Sequence, residues 1–169
     1  MNKTTLHELG HTLVCLDHIP NQEEITKIIE KVTIEPEGTI LGYLMKKPNI
    51  KFNNFVELKI NLGGLASEML FYKNSSQTKI TKGCDDDFYI VKGCSDDFKE
   101  VRKILKILKE QNPNHWSLEF RKYTAESEKI ISKNISLIEE MFKELIERKT
   151  ITTEKNLQLF KDWYKKIKK

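Results

Sequence analysis

The stretch TTLHELGHTLV at residues 4–14 constrains this chain more than any other, because it sets His7 and His11 four residues apart inside a run of helical period. Leu6, Leu9, Leu13, Val14 and Leu16 recur at that period and Pro20 ends it, so residues 4–17 are expected to form one helix. On a helix, positions i and i+4 share a face, and the two imidazoles can converge on one ion. Glu8 lies one residue round from His7, near enough to reach a metal-bound water without ligating the metal. This HExxH pattern carries the chemistry of a zinc hydrolase. Zinc lowers the pKa of its water to about 7 and polarises a carbonyl, while the glutamate passes the proton to the leaving amine. A catalytic zinc takes three protein ligands, however, and HELGH supplies two.

The third must come from elsewhere in the chain. The extended pattern HExxHxxGxxH needs a glycine and a histidine where this chain has Val14 and Asp17. Without the glycine the helix continues and turns Asp17 off the ligand face. His18 returns to the face of His11 but sits two turns along, about 10 Å away. His115, two residues after Pro113, reads as a surface or capping residue. Three acidic candidates remain: Glu68 in GGLASEM, Asp87, and Asp97 at the start of a helix. A carboxylate near a helix N-terminus approaches a metal with its backbone already ordered, which favours Asp97 and leaves the other two open.

A chain of 169 residues is expected to form one domain, 1–169, with a substantial core. Hydrophobic content of 38%, charged content of 32% and a mean hydropathy of −0.52 describe a soluble globular protein. No window approaches the roughly 18 consecutive apolar residues of a membrane span. Charge and polarity within HELGH interrupt the only apolar stretch near the N-terminus, which excludes a secretory signal. The net charge of +4 is spread, with a local excess in the tail KDWYKKIKK, which reads as a solvated helix end; no nucleic-acid partner is expected. Cys15, Cys84 and Cys94 are odd in number and lack CxxC spacing, so they fit small thiols in a reducing, cytoplasmic setting.

The remaining elements follow from periodicity. A polar connection at 21–24 leads to a helical turn through Ile25, Ile28 and Ile29. The β-branched run Val32-Thr33-Ile34, then Pro-Glu-Gly, then 39–45, reads as two strands about a turn. Residues 56–71 return to helical period, 72–82 read as a loop, and 87–91 as a short strand. Ser95 or Asp96 caps a helix with Phe98, Val101, Ile104, Leu105 and Leu108 on one face, broken at Asn112-Pro113-Asn114. Helical patterning dominates 116–169, with one stripe from Ile130 to Ile146 and another from Leu157 to Ile167. The expected fold class is mostly α with a small β-sheet (α+β).

Four separated motifs then resemble one family, the zinc peptidase domain of the FtsH family of membrane-anchored AAA proteases. Those domains carry HEAGHA, V-x-I-x-P-x-G followed by LG, LGGRAAEE, and a GASND-like stretch before a helix. The counterparts here are HELGHT, VTIEPEG with Leu41-Gly42, LGGLASE at 62–68, and GCSDD at 93–97. The resemblance covers about residues 4–110, and the helical remainder is similar only in general character. It implies a zincin-like helical peptidase domain with His7, His11 and Asp97 as zinc ligands, Glu8 as general base, and Glu68 as a supporting residue. It also implies that 32–45 holds an edge strand pairing with extended substrate.

Two departures stand out. KGCDDDF partly duplicates GCSDDF, so Asp87 remains a rival to Asp97; Leu65 and Met69 replace the Arg and second Glu of LGGRAAEE. No GxxxxGK[ST] phosphate loop and no transmembrane segment occur in these residues, so no ATPase activity is expected from this chain. An excised fragment and a stand-alone peptidase both agree with that. The resulting expectation is a zinc-dependent metalloendopeptidase that cuts unfolded or flexible polypeptides. Its implied partners are such substrates, a separate AAA unfoldase, which would give any membrane association, and further copies of itself in a ring such as a hexamer. A monomer is also compatible, because the family's ATPase ring is missing here. The alternatives are a non-catalytic binding or regulatory module of the same fold, and a different HExxH hydrolase with Glu68 as third ligand.

Overall fold

The computed structural model describes residues 2–49, 52–71, 80–82, 89–91, 95–111, 113–114 and 116–169. Helix α1 (Lys3–His18) opens where the Asn2 side chain accepts the Thr5 N–H and closes at Ile19, just before Pro20. Every residue from 5 to 16 is buried, so α1 is a central helix rather than a surface one. Helix α3 (Asn54–Phe71) crosses it at two glycines. A Cβ built on Gly10 would lie 2.2 Å from the Gly63 carbonyl oxygen, and one on Gly63 would lie 2.6 Å from that of Gly10. The two backbones therefore touch, closer than the usual 8–10 Å between helix axes implies.

A 3-10 turn at Gln22–Glu24 and helix α2 (Ile25–Ile28) lead into strand β1 (Ile29–Thr33). Strand β2 (Tyr43–Lys46) pairs antiparallel on one side of β1, and strand β5 (Thr150–Thr152) pairs antiparallel on the other. Val32 stands opposite Leu44 and Ile151 in this sheet. Strands β3 (Ile80–Lys82) and β4 (Tyr89–Val91) form a separate antiparallel pair. Helices α4 (Ser95–Gln111), α5 (Trp116–Lys133), α6 (Ile135–Arg148) and α7 (Thr153–Ile167) complete the described chain. The class is thus mostly α with a small antiparallel sheet, as the sequence pattern implies.

Several local expectations need correction. Residues 80–82 form a strand instead of ending a loop, because they pair with β4. The second strand of the first hairpin is confined to 43–46, while Glu37 and Ile40 close its turn about Gly38, which has a φ of 61°. The stripe from 130 to 146 is two helices, since the Asn134 side chain donates to the Ile130 carbonyl and its backbone leaves the helical region. Strand β5, too short at three residues to show a period, interrupts the helical patterning of 116–169. The chain turns into β5 at Lys149, whose φ of 62° is costly for a residue with a Cβ. Its carbonyl accepts the Ile34 N–H at 2.9 Å, and the Thr153 hydroxyl donates to the Ile29 carbonyl at 2.8 Å.

The main core joins both ends of the chain. Leu6, Leu9, Leu13 and Leu16 of α1 pack in one cluster with Ile138, Met141 and Leu145 of α6 and Phe160 and Trp163 of α7. The last two rings meet edge-on, 5.1 Å apart and 68° between planes. A second cluster of Leu58, Leu62, Val101, Ile104 and Leu105 seats α4 on α3. The tail lysines are engaged within the fold: Lys161 faces Glu23 at 3.6 Å, Lys166 binds Glu140, and Lys168 reaches the Asp17 carbonyl. Among the described residues, no helix is long and apolar enough to cross a membrane.

Cys15 lies within this core, and burial pushes its thiol up to about 12 against the opposing pull of Lys46. The native protein at pH 8–9 should therefore leave Cys15 unalkylated by iodoacetamide, and peptide mass spectrometry should find it labelled only after denaturation. The glycine crossing makes a second test. Alanine is the better helix former by about 1 kcal/mol, but its methyl group at position 10 would meet backbone that cannot step aside. Gly10→Ala should lose about 2 kcal/mol or more in urea unfolding, the opposite sign to propensity.

Candidate metal-binding active site

The face of α1 opposite the leucines carries Lys3, His7 and His11 at successive i, i+4 positions. On α3 the facing positions are Ile60, Gly64 and Glu68, spaced in the same way and running the other direction. His11 Nδ1–H donates to the Ile60 carbonyl at 2.7 Å. A carbonyl only accepts, so this bond places the proton on Nδ1 and turns Nε2 inward. The Ile60 carbonyl is approachable from outside its own helix because the residues three and four positions on are Gly63 and Gly64. A Cβ on Gly64 would come within 2.6 Å of His11 Nε2 and 2.7 Å of His7 Cε1.

His7 Nδ1 bonds the Glu68 carboxylate at 2.8 Å, and the other Glu68 oxygen lies 2.9 Å from Lys3 Nζ. Burial pushes the Glu68 carboxyl up, but the hydrogen bonds and charges of His7 and Lys3 outweigh it and hold the group below the ordinary carboxylate range. Glu68 is therefore ionised at neutral pH and accepts from His7 Nδ1–H, which turns His7 Nε2 inward as well. The two Nε2 atoms are 2.9 Å apart, with the rings edge-on at 86°.

Nitrogens at that distance share a hydrogen bond when one ring carries the proton, and a cation can take the place of that proton. Two nitrogens at about 2.05 Å from a tetrahedral ion stand about 3.3 Å apart, so a small adjustment of either ring admits zinc. Both rings also have the outer partner that metal-bound histidines ordinarily have, a carboxylate for one and a backbone carbonyl for the other. The two imidazoles fit such an ion as part of its donor set.

His7, Glu8 and His11 are thus gathered on one buried helix, 8%, 5% and 6% exposed. Glu8 faces the start of the sheet: a Cβ on Gly42 would lie 3.1 Å from Glu8 Cγ and 2.9 Å from the Thr33 carbonyl. Asp97 is in the first turn of α4, with its side chain outside the described atoms. Asp87 and His115 lie outside the described residues. Among the described residues, no three His, Cys, Asp or Glu side chains form a metal-holding group. His18 is occupied elsewhere, donating from Nδ1 to the Val14 carbonyl at 2.9 Å and accepting from Lys59 at 3.2 Å. Asp17 stays beside His18 at the end of α1. Reasoning from side-chain types alone passes over Lys3, the Ile60 carbonyl and Gly42. Only the i, i+4 spacing of Lys3 to His7 and the glycine pair after Ile60 hint at the first two.

A buried pair of imidazoles on one helix, each ring fixed by an outer acceptor, with a glutamate in the next position, is an arrangement suited to metal-assisted hydrolysis. Residues 1–107 match the family model described as peptidase family M41, and the chain belongs to that family, the FtsH-type peptidase domains. A stretch of 91 residues is 34% identical to the ATP-dependent zinc metalloprotease FtsH of Leuconostoc mesenteroides subsp. mesenteroides. That alignment covers 50% of this chain and 12% of the relative, so the chain spans a small part of the relative's length.

Position 64 is where the site bears on the fold. The nearest atoms to a methyl group there belong to the His7 and His11 rings, which are buried and held by hydrogen bonds. Gly64→Ala should lower the unfolding midpoint despite the better helix propensity of alanine, and move the His7 and His11 ring signals in 1H–15N spectra.

Proposed function

We propose that this chain is a zinc-dependent metalloendopeptidase domain that cuts unfolded or flexible polypeptides. The observation that carries this reading is the convergence of the two Nε2 atoms, 2.9 Å apart, behind outward-bonded Nδ1 atoms. His7 and His11, with Asp97 as third ligand, would hold zinc, which when bound polarises a peptide carbonyl and lowers the pKa of water to about 7. Glu8 is the general base: its carboxylate takes the proton from the attacking water and delivers it to the leaving amine nitrogen. Glu68 holds the His7 ring through Nδ1 and is on the far side of that ring from Nε2, which argues for support rather than ligation.

Strand β2 is an edge of the described sheet, and Gly42 immediately before it lies against Glu8. An extended polypeptide pairing with that edge would bring a peptide bond to the base, with Leu41 and Met45 exposed alongside it. A folded substrate does not offer such a strand. The reading therefore includes an unfoldase on a separate chain, a cytoplasmic setting, and assembly with further copies as accessory proposals.

The protein as purified should hold about one zinc per chain, removable by chelator. Casein or a quenched peptide should be cut by the wild type; Glu8→Gln should stop cutting and retain the metal. Asp97→Ala should lose the zinc and Asp87→Ala should keep it, while Glu68→Ala should weaken binding about 10- to 100-fold. Stoichiometric zinc without cleavage of any unfolded substrate would instead make this a binding module.

A further inference from the structure

We propose that Lys3 is a positioning residue for the metal site, clamping the second oxygen of Glu68 so that the carboxylate holds the His7 ring in one tautomer and one orientation. The inference rests on the zinc reading above and names a residue that neither HExxH nor the GGLASE motif contains.

Three features of the geometry carry it. Lys3 stands one helical turn before His7 on the same face of α1, so one rigid helix presents both groups to Glu68. Lys3 Nζ lies 2.9 Å from Glu68 Oε2 in an ion pair outside hydrogen-bond alignment, while His7 Nδ1 donates to Oε1 at 2.8 Å, so a different group faces each carboxylate oxygen. A carboxylate held at one oxygen still turns about its terminal bond, which is a broad, two-fold torsion; holding both oxygens fixes its plane. The plane of the carboxylate in turn sets the direction in which His7 Nε2 points.

Burial and charge point the same way. The Glu68 side chain is 4% exposed and that of Lys3 is 32%, so the lysine is on the solvent side of the carboxylate. Removing the cation from a buried carboxylate is costly because the charge is left uncompensated, whereas a pair on an open surface contributes little. Helix α3 carries no Lys or Arg after Lys59, so within these two helices the cation reaches Glu68 from α1. The lysine thus ties the start of α1 to the helix that backs the histidines.

The test uses Lys3→Met, which keeps the aliphatic stem and removes the ammonium group, beside Lys3→Arg, which restores a cation. Zinc competition against a chromogenic chelator should show binding weakened about 10-fold in Lys3→Met and restored to within about threefold in Lys3→Arg. Long-range 1H–15N spectra of the metal-free proteins should show His7 as one tautomer, protonated at Nδ1, in wild type and Lys3→Arg. In Lys3→Met they should show a mixture. Zinc affinity and His7 spectra in Lys3→Met equal to those of the wild type would overturn the proposal. Should Lys3→Met not fold, Lys3→Gln is measured against the same two expectations. A wild type that binds no zinc would remove the proposed function, yet the metal-free spectra would still decide the role of Lys3.

Discussion

The contact between the backbones of Gly10 and Gly63 sets the distance from which everything at the site is measured. With any side chain at either position the two helices would stand apart by the width of at least a methyl group. His11 Nδ1 would then fall short of the Ile60 carbonyl, and His7 short of Glu68, since a methyl's width added to bonds of 2.7 and 2.8 Å exceeds hydrogen-bond reach. The crossing also explains why Gly64 follows Gly63. One glycine admits the neighbouring backbone, and the next admits the two imidazole rings. The pair together uncovers the carbonyl of Ile60 one turn earlier. Two antiparallel ladders result, Lys3, His7 and His11 on α1 against Glu68, Gly64 and Ile60 on α3.

The other wall of the site depends on parts of the chain far from the histidines. Glu8 lies against Gly42, which begins the edge strand β2, and β2 is held by β1. Strand β1 is in turn held on its other side by β5, from beyond the residues 1–107 that match the peptidase family. Lys149, in a backbone conformation unfavourable for its side chain, makes the turn into β5, and the Thr33 and Thr150 hydroxyls meet across the strands at 2.6 Å. Trp163 and Phe160 then fill the core on which α1 rests. The C-terminal helices are therefore part of what positions the base, although they lie beyond the residues that match the family model.

Much of this organisation was legible along the chain. The first helix, the α3 helix, the β1–β2 hairpin and the helix from Ser95 were written in period and caps, and the family was written in four motifs spread over a hundred residues. Short strands were harder. Residues 80–82 and 150–152 form strands because partners distant in the sequence pair with them, and three residues show no alternation to read. The division of the 130–146 stripe at Asn134 was hidden because its apolar face continues across the break. At the site, His7, Glu8 and His11 were visible as residue types, whereas the acceptor for His11 is a backbone carbonyl, which any residue possesses.

What the sequence by itself determined is local: an HExxH face on a helix, glycines where a neighbouring helix must come close, and the motif order of an FtsH-type peptidase domain. Those follow from helical period and from the space a missing side chain leaves. The tertiary structure alone decided which nitrogen of each histidine points inward. That choice depends on an acceptor 49 residues from His11 and on a carboxylate 61 residues from His7. Lysine 3 reaches the same carboxylate only because two helices touch at their backbones. No spacing along a chain encodes a distance that another helix has to supply.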